Sequence, residues 1–396
     1  MALELHVWGP AFGLDSIDPE CLAAVTCFRN HVPREHWTLI ASNDAAVSPD
    51  HRLPALNHRG TWTSGYTEII SYLTKQKYLH IDDDLTPLQK ADSLACASFL
   101  ATRGSGLLAM SLYVSPRAWA EITRPAYSSL LPFPLTWTVP PAIRTGAIEK
   151  VEHLGIGHLA AEVDAEESPS TLAETTSTGF LKLRDRLGPS KAMQPEHTAA
   201  IRFQHFAEDF YSVLDQLRGE KSFFLRDDDD DSGPSSIDFL VYGYLQLMRV
   251  QTPHPILKTV LEKSFARLVA FLHSKELSTR SYELPWRQPT PRGALGLIGR
   301  FAEGSIEATP GVGDSWRKWR KGGVISTYSN GTTDDVRDPT QLILAAGTLV
   351  AGVAALGATV LFRALSPFGA ATHRFEPTRA KNSGFNQFGG IRYGRY

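Results

Sequence analysis

Asp227–Asp231 is the densest group of potential metal ligands in the chain. Five successive carboxylates can attract a divalent cation or a basic peptide. A calcium loop, however, alternates its ligands with spacers so that they converge on one ion, and an unbroken run lacks that alternation. The run reads as a solvated acidic loop. Asp82-Asp83-Asp84 stands just ahead of a helical pattern, where negative charge suits the helix dipole. His153 and His158 are neighbours in sequence with no acidic residue between them, which is too little for a zinc site. Cys21, Cys27 and Cys96 form neither a CxxC pattern nor a metal-ligand spacing. An odd number of cysteines without a disulfide framework fits a reducing compartment such as the cytosol. No catalytic residue, metal or cofactor follows from these groups.

A different stretch carries more information. Leu342–Phe362 holds twenty-one residues and no charge. At ~1.5 Å per residue it forms a helix roughly 30 Å long, about the thickness of bilayer hydrocarbon. A buried core helix of that length seldom lacks a polar face, so residues 340–363 are expected to be a transmembrane anchor. Gly347, Ala351, Ala355 and Thr359 recur every four residues as a small stripe between Leu342 and Phe362. Leu349, Val353, Leu356 and Val360 form a bulkier one. In lipid, small side chains permit close helix packing, so the small stripe is expected to meet protein and the bulky stripe lipid. The other reading is that Ala and Gly only keep the span modestly hydrophobic for sorting.

Charge divides the chain unevenly. The net charge is −2, which argues against a nucleic-acid-binding surface. Behind the span, Arg363, Arg374, Arg379, Lys381, Arg392 and Arg395 oppose only Glu376, so the tail 364–396 is basic and suits anionic headgroups. The first residues lack the basic and apolar regions of a signal peptide. The length suggests two domains plus the anchor.

Leu3–Trp8 alternates like a strand and ends at Gly9-Pro10. Asp18 is placed to cap a helix that starts at Pro19, with Leu22, Val25 and Phe28 on one side. Strands are expected at Trp37–Ala41, from Leu53-Pro54, and near Gly60–Thr63. A helix then carries Ile69, Ile70 and Leu73 as its apolar stripe. That order, βαβ then ββα, is that of a thioredoxin-like layer over residues 1–78. From 79 to 275 helices dominate. Thr86-Pro87 starts one whose expected stripe is Leu88, Ala91, Ala95 and Phe99; Phe206, Phe210, Val213, Leu214 and Leu217 mark another. Ser235 is an expected N-cap, with Asp238 at N3. Residues 164–195 read as a long loop and 276–339, rich in Gly, Pro, Ser and Thr, as a linker.

A thioredoxin-like layer followed by helices resembles the glutathione transferase fold, an α/β plus all-α architecture. Pro54 looks like that family's cis-proline, but Gly65 and Tyr66 stand where a Glu-Ser pair would grip glutathione. In the loop Gly9–Ser16 only Ser16 remains to activate a thiol. A more specific likeness lies in LHVWGPAFGLDSIDPECLAA, SGYTEIISYL, AEITRPAYSSLLPFPL and SSIDFLVYGYLQLM, which resemble segments of the metaxin family. That resemblance implies the membrane-anchored subunit, of fungal type, of the mitochondrial sorting and assembly machinery (SAM). It implies an Omp85-type barrel and a second metaxin-like chain as partners, and β-barrel precursors as clients. It also implies contact with the outer-membrane import translocase and with lipid. No enzymatic activity follows; a tail-anchored transferase using Ser16 is the alternative. The basic tail alone would favour a cytosolic C terminus. The free cysteines and the family likeness instead put the large N-terminal part in the cytosol, on the mitochondrial outer membrane. Within the most specific segment, Arg124 and Tyr127 are three residues apart. They serve either as a subunit contact from one helix face or as an internal arginine bonded to carbonyls.

Overall fold

The computed structural model describes residues 3–153, 195–226, 233–278, 283–289 and 294–307. The expected anchor 340–363, the basic tail, Asp227–Asp231 and the expected loop 164–195, except Pro195, which opens a helix, lie outside the described residues. Among the described residues no helix is long and apolar enough to cross a membrane.

Strand β1 (Leu3–Val7) turns Leu3, Leu5 and Val7 into the core and Glu4 and His6 to the other face, as alternation requires. It lies parallel to β2 (Trp37–Ala41) and antiparallel to β3 (Ala55–His58), with Leu5 opposite both Leu39 and Leu56. Between β1 and β2 runs α1 (Pro19–His31). The Asp18 carboxylate caps it by accepting from the Cys21 N–H at 2.9 Å. The Leu53-Pro54 peptide is cis and leads into β3, which pairs antiparallel with β4 (Thr61–Ser64). Helix α2 (Tyr66–Lys75) buries Ile69, Ile70 and Leu73, the expected stripe. The mixed sheet followed by helices matches the order read from the sequence.

The helical part begins with α3 (Pro87–Phe99), closed by a capping box between Thr86 and Gln89. Here the expected stripe is wrong. Leu88 is 73% exposed, Ala91 and Ala95 are exposed, and Phe99 is half-buried, while Cys96, Leu100 and Gly104 face inward. The inward side is set by close approach, since a Cβ at Gly104 would lie 3.1 Å from the Tyr244 ring. The helix continues through wider π-type turns to Val114. Next come α4 (Arg124–Leu130) and α5 (Val139–His153), then α6 (Pro195–Arg218), α7 (Ser236–Met248), α8 (Ile256–Ser264) and α9 (Ala266–Leu272). In α6, Phe210 and Leu214 are buried, whereas Val213 and Leu217 are exposed.

Helix α7 is the central strut. Its capping box is the expected one: the buried Asp238 carboxylate accepts from Ser235 N–H at 2.8 Å and also from Phe224 N–H at 2.8 Å. It packs on α1 closely enough that a Cβ at Gly243 would overlap the Pro19 carbonyl oxygen. One continuous apolar core joins the sheet, α1, α7 and the helices around them.

The stretch expected to be a linker is in part structured. β5 (Trp286–Arg287) adds a parallel edge strand to β2, giving the order β4-β3-β1-β2-β5. Helix α10 (Ala294–Glu307) packs on α5 and on the turn Leu135–Trp137. A two-residue strand has no period to detect. The glycines that suggested a linker include Gly304, where a Cβ would come 2.9 Å from the Thr138 Cβ; glycine there lets the helix sit against that turn.

Candidate functional site

Ligands of α/β folds tend to bind outside the carboxyl ends of the strands. In this chain that crevice is partly filled from within, and a cavity of about 510 Å³ remains beside it, lined by Ser42, Asn43, Leu130 and Leu135. Tyr127, Leu131 and Leu135, on α4 and the turn behind it, join Ile17 in a second small core against Trp8, Phe12 and Tyr113. Trp8 meets Tyr127 edge-on at 5.5 Å, and the Tyr113 and Tyr127 hydroxyls are 3.0 Å apart. Burial pushes both phenols well above their ordinary range, so they remain protonated hydrogen-bonding groups. Asn43 fastens the plug: its amide oxygen accepts from Gly9 N–H at 2.7 Å and its amide nitrogen donates to the Leu130 carbonyl at 3.0 Å.

The positions that the transferase likeness marks for glutathione are also occupied. Gly65 precedes α2 at φ 91°, and its N–H donates to the Pro54 carbonyl at 2.8 Å. The first N–H of α2, on Tyr66, donates to Glu20 at 3.2 Å. Glu20 in turn accepts from Arg52 at 2.7 and 2.9 Å. A helix N-terminus favours an anion, and the chain supplies its own. The Tyr66 hydroxyl is buried and donates to the Ser236 carbonyl at 2.7 Å, holding the sheet layer to α7. Ser16 is fully buried and its hydroxyl accepts from Asp18 N–H at 3.2 Å, so it faces no solvent-filled site.

Arg124 and Tyr127 do not share a face: Arg124 is exposed and Tyr127 buried. Near this segment the arginine that serves carbonyls is the half-buried Arg144 on α5, which donates to the Tyr113 carbonyl at 3.0 Å and lies over the Trp119 ring. It sits 31 residues from its acceptor, and no local pattern links the two. The Asp82–Asp84 group also serves beyond the helix that follows it. Asp82 accepts from Ser236 N–H at 3.0 Å at the start of α7, Asp83 pairs with His80, and Asp84 pairs with the largely buried Arg226. The side chains of His153 and His158 lie outside what is described, as do Leu342, Gly347, Ala351, Ala355, Thr359 and Phe362. Among the described residues no group of three or more His, Cys, Asp or Glu side chains is placed to hold a metal.

Comparison with known proteins agrees with the matched segments. A family described as outer mitochondrial membrane transport complex protein (Tom37) matches residues 21–144. Metaxin-1 of Macaca fascicularis is 28% identical over 248 residues, covering 62% of this chain and 65% of the relative. Metaxin-1 of Homo sapiens is 27% identical, with 44% of its length matched, and metaxin-3 of Xenopus laevis is 29% identical over 149 residues. The match thus covers less than two thirds of the length of these relatives. Residues 21–144 take in most of α1, the strands β2 to β4 and α4, so the family match falls on the sheet layer and the start of the helical part, and the chain is similar to the metaxin family there.

Proposed function

We propose that this chain is a non-catalytic subunit of a protein transport complex of the mitochondrial outer membrane, and specifically of the machinery that inserts β-barrel proteins there. The observation that supports the non-enzymatic half is the occupied anion position: Glu20 accepts from the Tyr66 N–H at the start of α2, where the transferase likeness expects a glutathione grip. The transport half rests on the family, whose description places it in an outer mitochondrial membrane transport complex. In this reading the scaffold is a glutathione transferase-like pair, residues 1–78 and 79–275, tethered by 340–363. The large part faces the cytosol. Extended protein surface holds an Omp85-type barrel and a second metaxin-like chain while precursors are received and released.

Affinity isolation of the full chain from mild detergent tests the assembly. The expected result is recovery of a barrel subunit and a second metaxin-like chain, and loss of the protein should lower assembled outer-membrane barrels before matrix import declines. Simultaneous, equal loss of both routes would point to a general receptor instead. Within the anchor, Ala351→Ile with Ala355→Ile should loosen the complex without releasing the chain from membranes, while Val353→Ile with Leu356→Ile should do little. Calorimetry should detect no saturable binding of micromolar glutathione, in the natural chain or in the Arg52→Ala variant.

A further inference from the structure

The cavity beside the plug, about 510 Å³, lies at the carboxyl ends of β1 and β2. A volume of this order holds a small molecule, and the lining decides which kind. Charge comes first. Glu4 accepts from Arg287 at 3.1 Å and from Asn57 at 3.0 Å, one on each carboxylate oxygen. Asp44 gives both oxygens to Arg300, at 3.1 and 3.3 Å. Each acid of the lining therefore has its counter-ion, and so has Arg287. Burial holds the His6 imidazole below its ordinary range, so near neutral pH it adds no charge. An ionic ligand would lose its hydration here and find no partner, which is costly.

Hydrogen-bonding capacity comes second. Asn43 spends both ends of its amide, on Gly9 and on Leu130. The Ser42 hydroxyl, one donor and two lone pairs, has a single partner among the described residues, Nδ1 of His6 at 2.7 Å. His6 is 7% exposed and its ring leans on Trp62 at 5.0 Å, so the hydroxyl rests on a fixed support. The pair does not make a catalytic triad. A triad orients its imidazole through the second ring nitrogen, and Nε2 of His6 is buried without a hydrogen-bond partner. Ser42 is thus placed to receive a hydrogen bond rather than to attack a carbonyl. Apart from the exposed Gln288, the remaining lining is apolar, with Leu130 and Leu135 from the plug, Val47 from the turn after β2 and Leu297 from α10. A ligand hydroxyl both donates and accepts, so it matches Ser42 whichever nitrogen of His6 carries the proton.

We propose that this cavity binds an uncharged small molecule with an apolar body and one hydroxyl group, the hydroxyl bonded to Ser42 and the body set among Leu130, Leu135 and Leu297. The site goes beyond the assembly role and does not depend on it. Full-length protein in mild detergent is irradiated with three photoreactive aryl diazirines that differ in one substituent: hydroxymethyl, methyl or carboxylate. Labelled peptides are then identified by mass spectrometry. The hydroxymethyl probe should saturate and mark residues 40–47 or 130–135, which line the cavity. Below saturation its yield there should be about fivefold that of either companion. Ser42→Ala should lower it to the level of the methyl probe and leave the methyl probe's own labelling unchanged, which also shows that the variant is folded. Labelling that is spread along the chain without saturation, or that ignores Ser42→Ala, would overturn the site. Equal loss of both uncharged probes in Ser42→Ala would overturn the contact, since Ser42 would then only prop the cavity open. A carboxylate probe that labels as strongly as the hydroxymethyl one would overturn the uncharged ligand class.

Discussion

Two surfaces of the molecule make a pair of opposites. The crevice at the carboxyl ends of the strands, where a ligand would be expected, is narrowed by Tyr127, Leu131 and Leu135 to a cavity of about 510 Å³ beside Asn43. The outer side of α3 and α6, where a folded chain would be expected to show polar side chains, exposes Leu88, Leu94, Ile201, Val213 and Leu217. Apolar side chains thus occupy part of the space at the strand ends and also stand on the outer surface. Packing at the strand ends leaves less room for a small molecule while apolar side chains stand outside, which suits the proposed non-catalytic role.

The sharpest way to break that comparison is to empty the crevice. Tyr127→Ala with Leu131→Ala removes two neighbouring buried side chains from one small cluster. The loss should be about 4 kcal/mol or more, because the cavity term adds to the transfer term and the two changes couple. Urea unfolding of the full chain in detergent measures it. If the plug were a loosely seated lid, the loss would be below ~1 kcal/mol and the comparison would fail.

A second effect sits at the same end of the sheet and depends on pH. Asp18 is half-buried at the start of α1, and its carboxyl is pushed up to about 6, chiefly by burial and then by Glu20. A folded carboxyl that holds its proton more tightly than the unfolded one favours folding while protonated. Its contribution is therefore greatest below the unfolded value near ~4 and is lost as pH rises towards 6. Asp18→Asn keeps a capping oxygen for Cys21 N–H and cannot titrate. The variant should gain stability relative to the natural chain between about pH 4 and 6, by about 2 kcal/mol after allowing for the part of Asp18 that water still reaches. A constant difference across that range would show that the crevice end is wetter than its packing implies.

How much of this was legible in the sequence follows from the range over which each signal acts. Asp18, the Ser235–Asp238 box and Thr86 announce their helices because a cap acts over three residues. Pro54 was legible through its place ahead of a strand in a known arrangement. The plug was not, because Tyr127 meets Trp8 across 119 residues of chain and only the fold brings them together. Arg144, rather than Arg124, serves the internal carbonyls for the same reason. The failure on α3 is different in kind. Its apolar residues do recur at helical spacing, but two stripes of α3 have that spacing, and the one facing inward was chosen by the narrow approach at Gly104.

The exposed leucines of α3 support the smallest and most discriminating test. Leu88 and Leu94 are 73% and 67% exposed, so replacing both by Gln takes almost nothing out of a core. Leu and Gln have nearly equal helix propensity, which leaves burial as the only variable. The pair should shift stability by no more than about 0.5 kcal/mol, whereas Cys96→Gln, on the inward side of the same helix, should cost about 2 kcal/mol or more by placing an unpaired amide among apolar groups. Both are read from urea midpoints at constant slope. If the outer pair cost as much as the inner residue, α3 would be covered in the isolated protein, and the contrast between a narrowed crevice and an open outer face would be wrong. If the costs separate as expected, those leucines are retained for something other than the stability of this chain.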